Sequence, residues 1–176
     1  MLSALNYCHN VKNIVHRDIK PENMVFANLE NEEDIRLIDF GLSTILSDRQ
    51  HLEKKCGSAF YLAPEVLKGG YNFKCDIWSL GVVLFVLITG RPLIYGKGQR
   101  QILAKVYGLK SVDKLVKGVL KRENPVLVDF LLKMLIVDPK LRWGTKALLK
   151  HPWIQAQSSK SKSSHKNLEE TMSKKH

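Results

Sequence analysis

The chain has 176 residues, enough for one domain with a real core. Hydrophobic residues make up 44% and charged residues 26%, with 11 Gly and 6 Pro, which excludes collagen-like, fibrous and wholly disordered chains. A formal net charge of +11 attracts polyanions (nucleotides, nucleic acids, acidic membranes) without choosing among them, and a basic surface that only keeps the chain soluble is the plain alternative.

Cys8, Cys56 and Cys75 form neither a disulfide framework nor a CxxC zinc pair, so a reducing, cytoplasmic setting is expected. The N-terminus shows no basic segment followed by an apolar run, so no signal peptide is expected. The most apolar stretch, residues 77–88, is shorter than the roughly 20 residues a membrane span needs.

In chain order, residues 2–9 read as the end of a helix, with Leu2 and Leu5 on one side. Residues 14–23 are polar and irregular, and read as a loop. Residues 24–27 and 35–38 are short strands joined across the polar turn 28–34, a hairpin. Residues 41–63 show little periodicity and form a long loop, a kind that is usually functional or disordered. Asp76 is placed to cap a helix running to about Thr89, with Gly90-Arg91-Pro92 as its stop. That helix is apolar on nearly every side, so it is expected at the centre of the fold. Further helices are expected over 99–107 and 111–120, then from the cap Asn124-Pro125 to about Val137, and over 145–150. From Gln157 the composition turns to Ser and Lys. Residues 155–176 are assigned to a disordered basic tail, read first as a solvated terminus and second as a lipid or docking segment.

The chemistry lies in three short motifs. The loop carries His16-Arg17-Asp18-Ile19-Lys20-Pro21-Glu22-Asn23. Asp39-Phe40-Gly41 follows the second strand, and Ala63-Pro64-Glu65 ends the long loop. Phosphoryl transfer needs positioning and charge stabilisation more than covalent help, and metal ions on a triphosphate want oxygen ligands. Asn23 and Asp39 supply such oxygens from the two ends that the hairpin brings together. Asp18, five residues before Asn23, is placed to accept a proton from an incoming hydroxyl, and Lys20 adds a point charge.

Through these motifs the chain resembles the eukaryotic protein kinases, at their C-terminal lobe, over about residues 2–154. Five fixed positions in the first motif would match by chance in roughly one window in several million. The resemblance implies a mainly α-helical lobe with a small β hairpin, and transfer of the γ-phosphoryl group of Mg-ATP to Ser or Thr of protein substrates. It implies Asp18 as base, Lys20 as phosphate contact, Asn23 and Asp39 as Mg2+ ligands, and Val25 beneath the adenine. It also implies that His16 and Phe40 stack, that Asp76 ties the central helix to the catalytic loop, and that Arg142 pairs with Glu65. Lys20 and Ser58 resemble the serine/threonine branch. Asp39-Phe40-Gly41-Leu42-Ser43, the Gly57–Leu67 stretch and the closing His151-Pro152-Trp153 look most like calmodulin-dependent and calcium-dependent kinases.

The sequence contains no GxGxxG loop, and no strand lysine or helix glutamate of the kinase set precedes His16. The expectation is that this chain alone binds ATP weakly and transfers phosphate negligibly. A non-catalytic interaction lobe is therefore the alternative function. Lys54 stands where relatives often place a phosphorylatable or acidic residue, and a cation there cannot pair with Arg17, so activation is expected not to depend on that position. An upstream regulator acting at Thr44 or Ser47 stays open. No DxDxDG calcium loop follows the lobe, and no aromatic-interleaved basic platform supports a nucleic-acid partner.

Overall fold

The computed structural model describes residues 1–28, 31–47 and 51–156. The helix α1 spans Leu2–Asn10, and a two-residue strand β1 (Ile14–Val15) follows it. A 3-10 turn at Pro21–Asn23 leads into β2 (Met24–Asn28), then β3 (Asn31–Leu37) and β4 (Thr44–Ile45). The helices α2 (Pro64–Lys68), α3 (Lys74–Thr89), α4 (Gln99–Tyr107), α5 (Asp113–Val119), α6 (Pro125–Met134) and α7 (Thr145–Leu149) follow. The lobe is mainly helical with small sheets, as the sequence implied.

α3 is the axle because it has apolar residues on every side to bury. Trp78, Val82 and Phe85 enter the main core with Val112, Val116 and Leu120 along α5 and Leu131 and Leu135 at the end of α6. Ile77 meets Phe130, Met134 and Leu148 on another side. Val83 meets Leu5 of α1 and Ile19 of the loop that carries Asp18 on a third. Each such fully buried side chain contributes about 1.5–3 kcal/mol. Gly81 lets α6 approach, since a Cβ there would stand 3.0 Å from both Leu135 Cδ2 and Met134 Cβ.

Several expectations need correction. Asp76 is not the cap of α3: the helix starts at Lys74, and Asp76 sits in its first turn with its carboxylate turned to the catalytic loop. The cap-like bond comes instead from Lys74 N–H to Asn72 Oδ1 at 3.0 Å. β3 begins at Asn31 rather than Ile35 and ends before Ile38, because a ladder on an exposed hairpin satisfies backbone groups whatever the side chains. The expected loop 14–23 contains β1, which pairs antiparallel with β4. α6 stops at Met134, three residues early, and α2 was not expected at all. The chain is helical over 152–156, with Gln155 N–H bonded to His151 O at 3.1 Å. The rest of the expected tail lies outside the described residues.

Candidate active site

Asp76 organises the catalytic loop from below. Its Oδ2 accepts the His16 N–H at 2.9 Å and the His9 ring N–H at 2.8 Å, and its Oδ1 accepts the Arg17 N–H at 2.8 Å. The carboxylate is 1% exposed, so three donors replace the water it has lost. With two successive N–H groups pinned, Arg17 adopts φ +70°, in the left-handed region. The loop turns sharply there and delivers Asp18.

His16 is fully buried, and its tautomer follows from its neighbours. Nδ1 accepts the Asp18 N–H at 3.3 Å, so Nε2 carries the proton and donates to Ile38 O at 3.1 Å. The ring meets Phe40 edge-on, centroids 4.8 Å apart. One histidine thus joins the catalytic loop to the segment carrying Asp39, and the implied His16–Phe40 stack is present. Arg17 adds a second tie, donating from Nε to Leu42 O at 2.6 Å.

The site itself is built around one buried carboxylate. Lys20 Nζ donates to Asp18 Oδ2 at 2.6 Å. Asn23 Nδ2 donates to Asp18 O at 2.8 Å and to Oδ2 at 3.3 Å. Ser58 donates to Oδ1 twice, from its N–H at 3.1 Å and its hydroxyl at 2.9 Å. Burial pushes the Asp18 carboxyl up, but the hydrogen bonds from Lys20 and Ser58 and the Lys20 charge outweigh it and hold the group below its ordinary value. Lys20 is correspondingly raised, first by its bond to Asp18; burial works against this, and the charges of Asp18, Glu22 and Asp39 add to the rise.

Ser58 reaches Asp18 because Gly57 precedes it. Gly57 has φ +104°, and a Cβ there would stand 2.6 Å from Arg17 O. No other residue allows this segment to lie so close to the catalytic loop. Ser58 had served in the sequence only as a mark of the serine/threonine branch. Its bonding role spans forty positions, and no local pattern announces it.

Asp39 is exposed, at φ +61°, and its Oδ1 accepts the Gly41 N–H at 3.2 Å. The Ile38 N–H bonds to Asn23 O at 3.0 Å, which holds the end of β3 against the start of β2 and puts Asn23 and Asp39 at the same edge. Asn23 has its amide N–H committed to Asp18, so its Oδ1 is the atom left for a ligand. One neutral oxygen and one carboxylate suit Mg2+, which keeps waters and phosphates in most of its positions. Among the described residues no group of three His, Cys, Asp or Glu is placed to hold a metal ion.

Val25 lies on β2 opposite Arg36, 37% exposed. Its neighbours Met24 and Phe26 line an apolar recess of about 390 Å3 on the other face of the strand, with Leu84, Leu87 and Met134. That recess contains none of Asp18, Lys20, Asn23 or Asp39, so strand alternation separates it from the face that Val25 presents.

The last implied pair is also present. Arg142 grips Glu65 with both guanidinium ends, Nη1 to Oε1 at 2.5 Å and Nη2 to Oε2 at 2.9 Å, fixing α2 beneath the long loop.

Comparison with known proteins agrees with this geometry. A sequence model of the protein kinase domain matches residues 1–154. The chain is 40% identical over 162 residues to calcium-dependent protein kinase 4 of Plasmodium falciparum, covering 91% of this chain and 30% of that protein. It is 35% identical over 162 residues to myosin light chain kinase A of Dictyostelium discoideum, covering 90% of this chain and 53% of that protein. Calcium-dependent protein kinase 14 of Arabidopsis thaliana is 35% identical over 155 residues, 88% of this chain and 29% of its own length. The chain thus spans about a third of the length of the calcium-dependent kinases it matches, and the part matched by the kinase-domain model holds Asp18, Asn23 and Asp39. With its catalytic loop, its Asp39 segment and its Glu65–Arg142 pair in place, the chain belongs to the protein kinase family.

Proposed function

We propose that this chain is the catalytic-loop lobe of a serine/threonine protein kinase, working in a kinase domain that also provides a cover for ATP. The observation that carries this reading is the Asp18 carboxylate, 8% exposed and held by Lys20, Asn23 and Ser58 beside the exposed Asp39. Asn23 Oδ1 and the Asp39 carboxylate would hold Mg2+, which would supply charge neutralisation at the triphosphate. Asp18 orients the acceptor hydroxyl and takes its proton as the new P–O bond forms and the bond to the β-phosphate oxygen breaks, with ADP as the leaving group. Lys20 balances charge on the transferred phosphoryl group. A carboxyl held below its ordinary value is a weak base, which suits a late proton transfer from a hydroxyl made acidic by that bond formation.

Protein substrates with Ser or Thr acceptors, an upstream regulator and a cytoplasmic location accompany this reading. Among the described residues no helix is long and apolar enough to cross a membrane. The test is fusion of residues 1–176 behind the ATP-covering lobe of a calcium-dependent relative, with a basic Ser peptide as acceptor. Mg-dependent phosphate incorporation that Asp18→Asn abolishes supports the reading, and no incorporation in a folded fusion overturns it.

A lobe that binds proteins without turnover is the second reading. It rests on the exposure of Val25, Asp39 and Phe40, which nothing in the described chain covers. Thermal stabilisation of the folded fusion by sub-millimolar Mg-ATP favours the enzyme, and no stabilisation of it favours the interaction lobe.

A further inference from the structure

The positive charge of this chain is concentrated. Residues 97–122 carry eight Lys and Arg against one acidic residue, Asp113, and so hold most of the net +11. α5 sorts that charge onto one face. Val112, Val116 and Leu120 repeat every four residues and are buried at 3%, 0% and 3%. Lys114 and Lys117 fall on the opposite side of α5 by helical spacing, Lys121 follows in the turn just after it, and all three are exposed and make no ion pair among the described residues.

Two further features adjoin the lysines. A Cβ built on Gly118 would meet nothing within 4 Å, so the backbone between the lysines lies bare. A glycine there costs the helix about 1 kcal/mol relative to alanine, and no packing contact requires it. Beside Lys117 and Lys121, a recess of about 340 Å3 opens between α5 and α6, with Leu120, Val128 and Leu132 as its apolar floor. Its far rim carries Glu123 and Asp129, and Asp129 is already engaged by His151 at 3.0 Å and Lys133 at 3.5 Å.

We propose that Lys114 and Lys117 of α5, Lys121 in the turn after it, and the recess beside them form a docking site for an acidic protein segment that seats one apolar side chain between α5 and α6. Charge complementarity selects an acidic partner. The recess selects a peptide: a membrane surface is flat, and a nucleic acid has no aliphatic side chain for a Leu/Val floor. The bare backbone at Gly118 lets the segment lie close enough for its carboxylates to reach lysines on either side. The site is remote in sequence from Asp18 and does not depend on phosphoryl transfer, so binding here stands or falls apart from the proposed activity.

The test is fluorescence anisotropy with the full chain and a labelled twelve-residue peptide of glutamates flanking one central phenylalanine. Saturable binding that weakens with salt is expected. Lys117→Glu/Lys121→Glu should weaken it about tenfold, two exposed pairs being lost and replaced by repulsion. Replacing the peptide phenylalanine by serine should weaken it by a similar factor. Circular dichroism confirms that the variant folds, and Lys117→Gln/Lys121→Gln repeats the comparison without charge reversal. No saturable binding, undiminished affinity of both variants, or equal affinity of the serine peptide would each overturn the proposal. So would tighter lysine-dependent binding to phosphatidylserine vesicles or to a single-stranded oligonucleotide.

Discussion

Ser58 holds the Asp18 carboxylate with two donors on one oxygen, 3.1 Å from its N–H and 2.9 Å from its hydroxyl, while Lys20 holds the other oxygen. The pair joins the loop after Gly57 to the catalytic loop, forty positions away in sequence. Ser58→Ala removes one of the two donors. Its hydroxyl favours the ionised carboxylate, so the Asp18 titration midpoint should move up, with a stability loss of about 1 kcal/mol. Ser58→Thr keeps the hydroxyl and should restore both. Carboxyl-resolved NMR titration of the three proteins measures this, and an unmoved midpoint in Ser58→Ala would show the hydroxyl to be irrelevant.

Gly57 is the condition for that contact. Gly57→Ala forces an alanine to φ +104° with its Cβ 2.6 Å from Arg17 O. A left-handed non-glycine costs of order 1–3 kcal/mol, and relief of the clash must move Ser58 away from Asp18. Urea denaturation should show the stability loss. The Asp18 midpoint should rise as it does in Ser58→Ala, and the double variant should add little to Gly57→Ala alone.

The motifs around Asp18 and Asp39 were legible because their chemistry is local: Lys20 and Asn23 lie two and five positions from Asp18. α3 was legible because residues 77–88, nearly unbroken in apolar character, have few other places to go. α2 was not, because a five-residue helix offers barely one turn of periodicity. β1 and β4 escaped notice because each is two residues long and they pair across about thirty positions. Asp76 misled for a physical reason. An acidic residue near a helix start reads as a cap, yet here its two oxygens are drawn to the His16 and Arg17 N–H groups, which have no other partner once buried.

The acid side of the stability profile should carry the Asp18 cluster. The folded Asp18 value lies below the ordinary one, so its contribution is fully present above about 3.9 and is lost as pH falls through the folded value. Lys20 runs the other way: its raised value makes its share complete below about 10.4 and lost as pH rises through the folded value. The stability difference between the native chain and Lys20→Met should therefore be constant from pH 5 to 9 and shrink below about 4. Urea midpoints across that range read it directly. A difference unchanged at pH 3 would mean that packing of the lysine stem, not the ion pair, is what the substitution removes.

Glu65 and Arg142 should behave as a buried pair that is costly to break and cheap to remove only in part. Glu65→Gln leaves the Arg142 guanidinium, 1% exposed, without its counter-charge, and should cost about 3–5 kcal/mol. An apolar double variant, Glu65→Leu/Arg142→Met, removes both charges. It also strands the Ile136, Val137 and Lys74 carbonyls that Arg142 serves, at 2.8, 3.2 and 2.7 Å. It should therefore recover part of the loss and not all of it, since each orphaned buried acceptor keeps a desolvation cost of about 1–3 kcal/mol. Chemical denaturation of the single and double variants measures the split. Full recovery would mean that water reaches those carbonyls once the arginine is gone, and no recovery would mean that the arginine's bonds to the backbone, rather than its pairing with Glu65, fix α2 and the start of α3 in place.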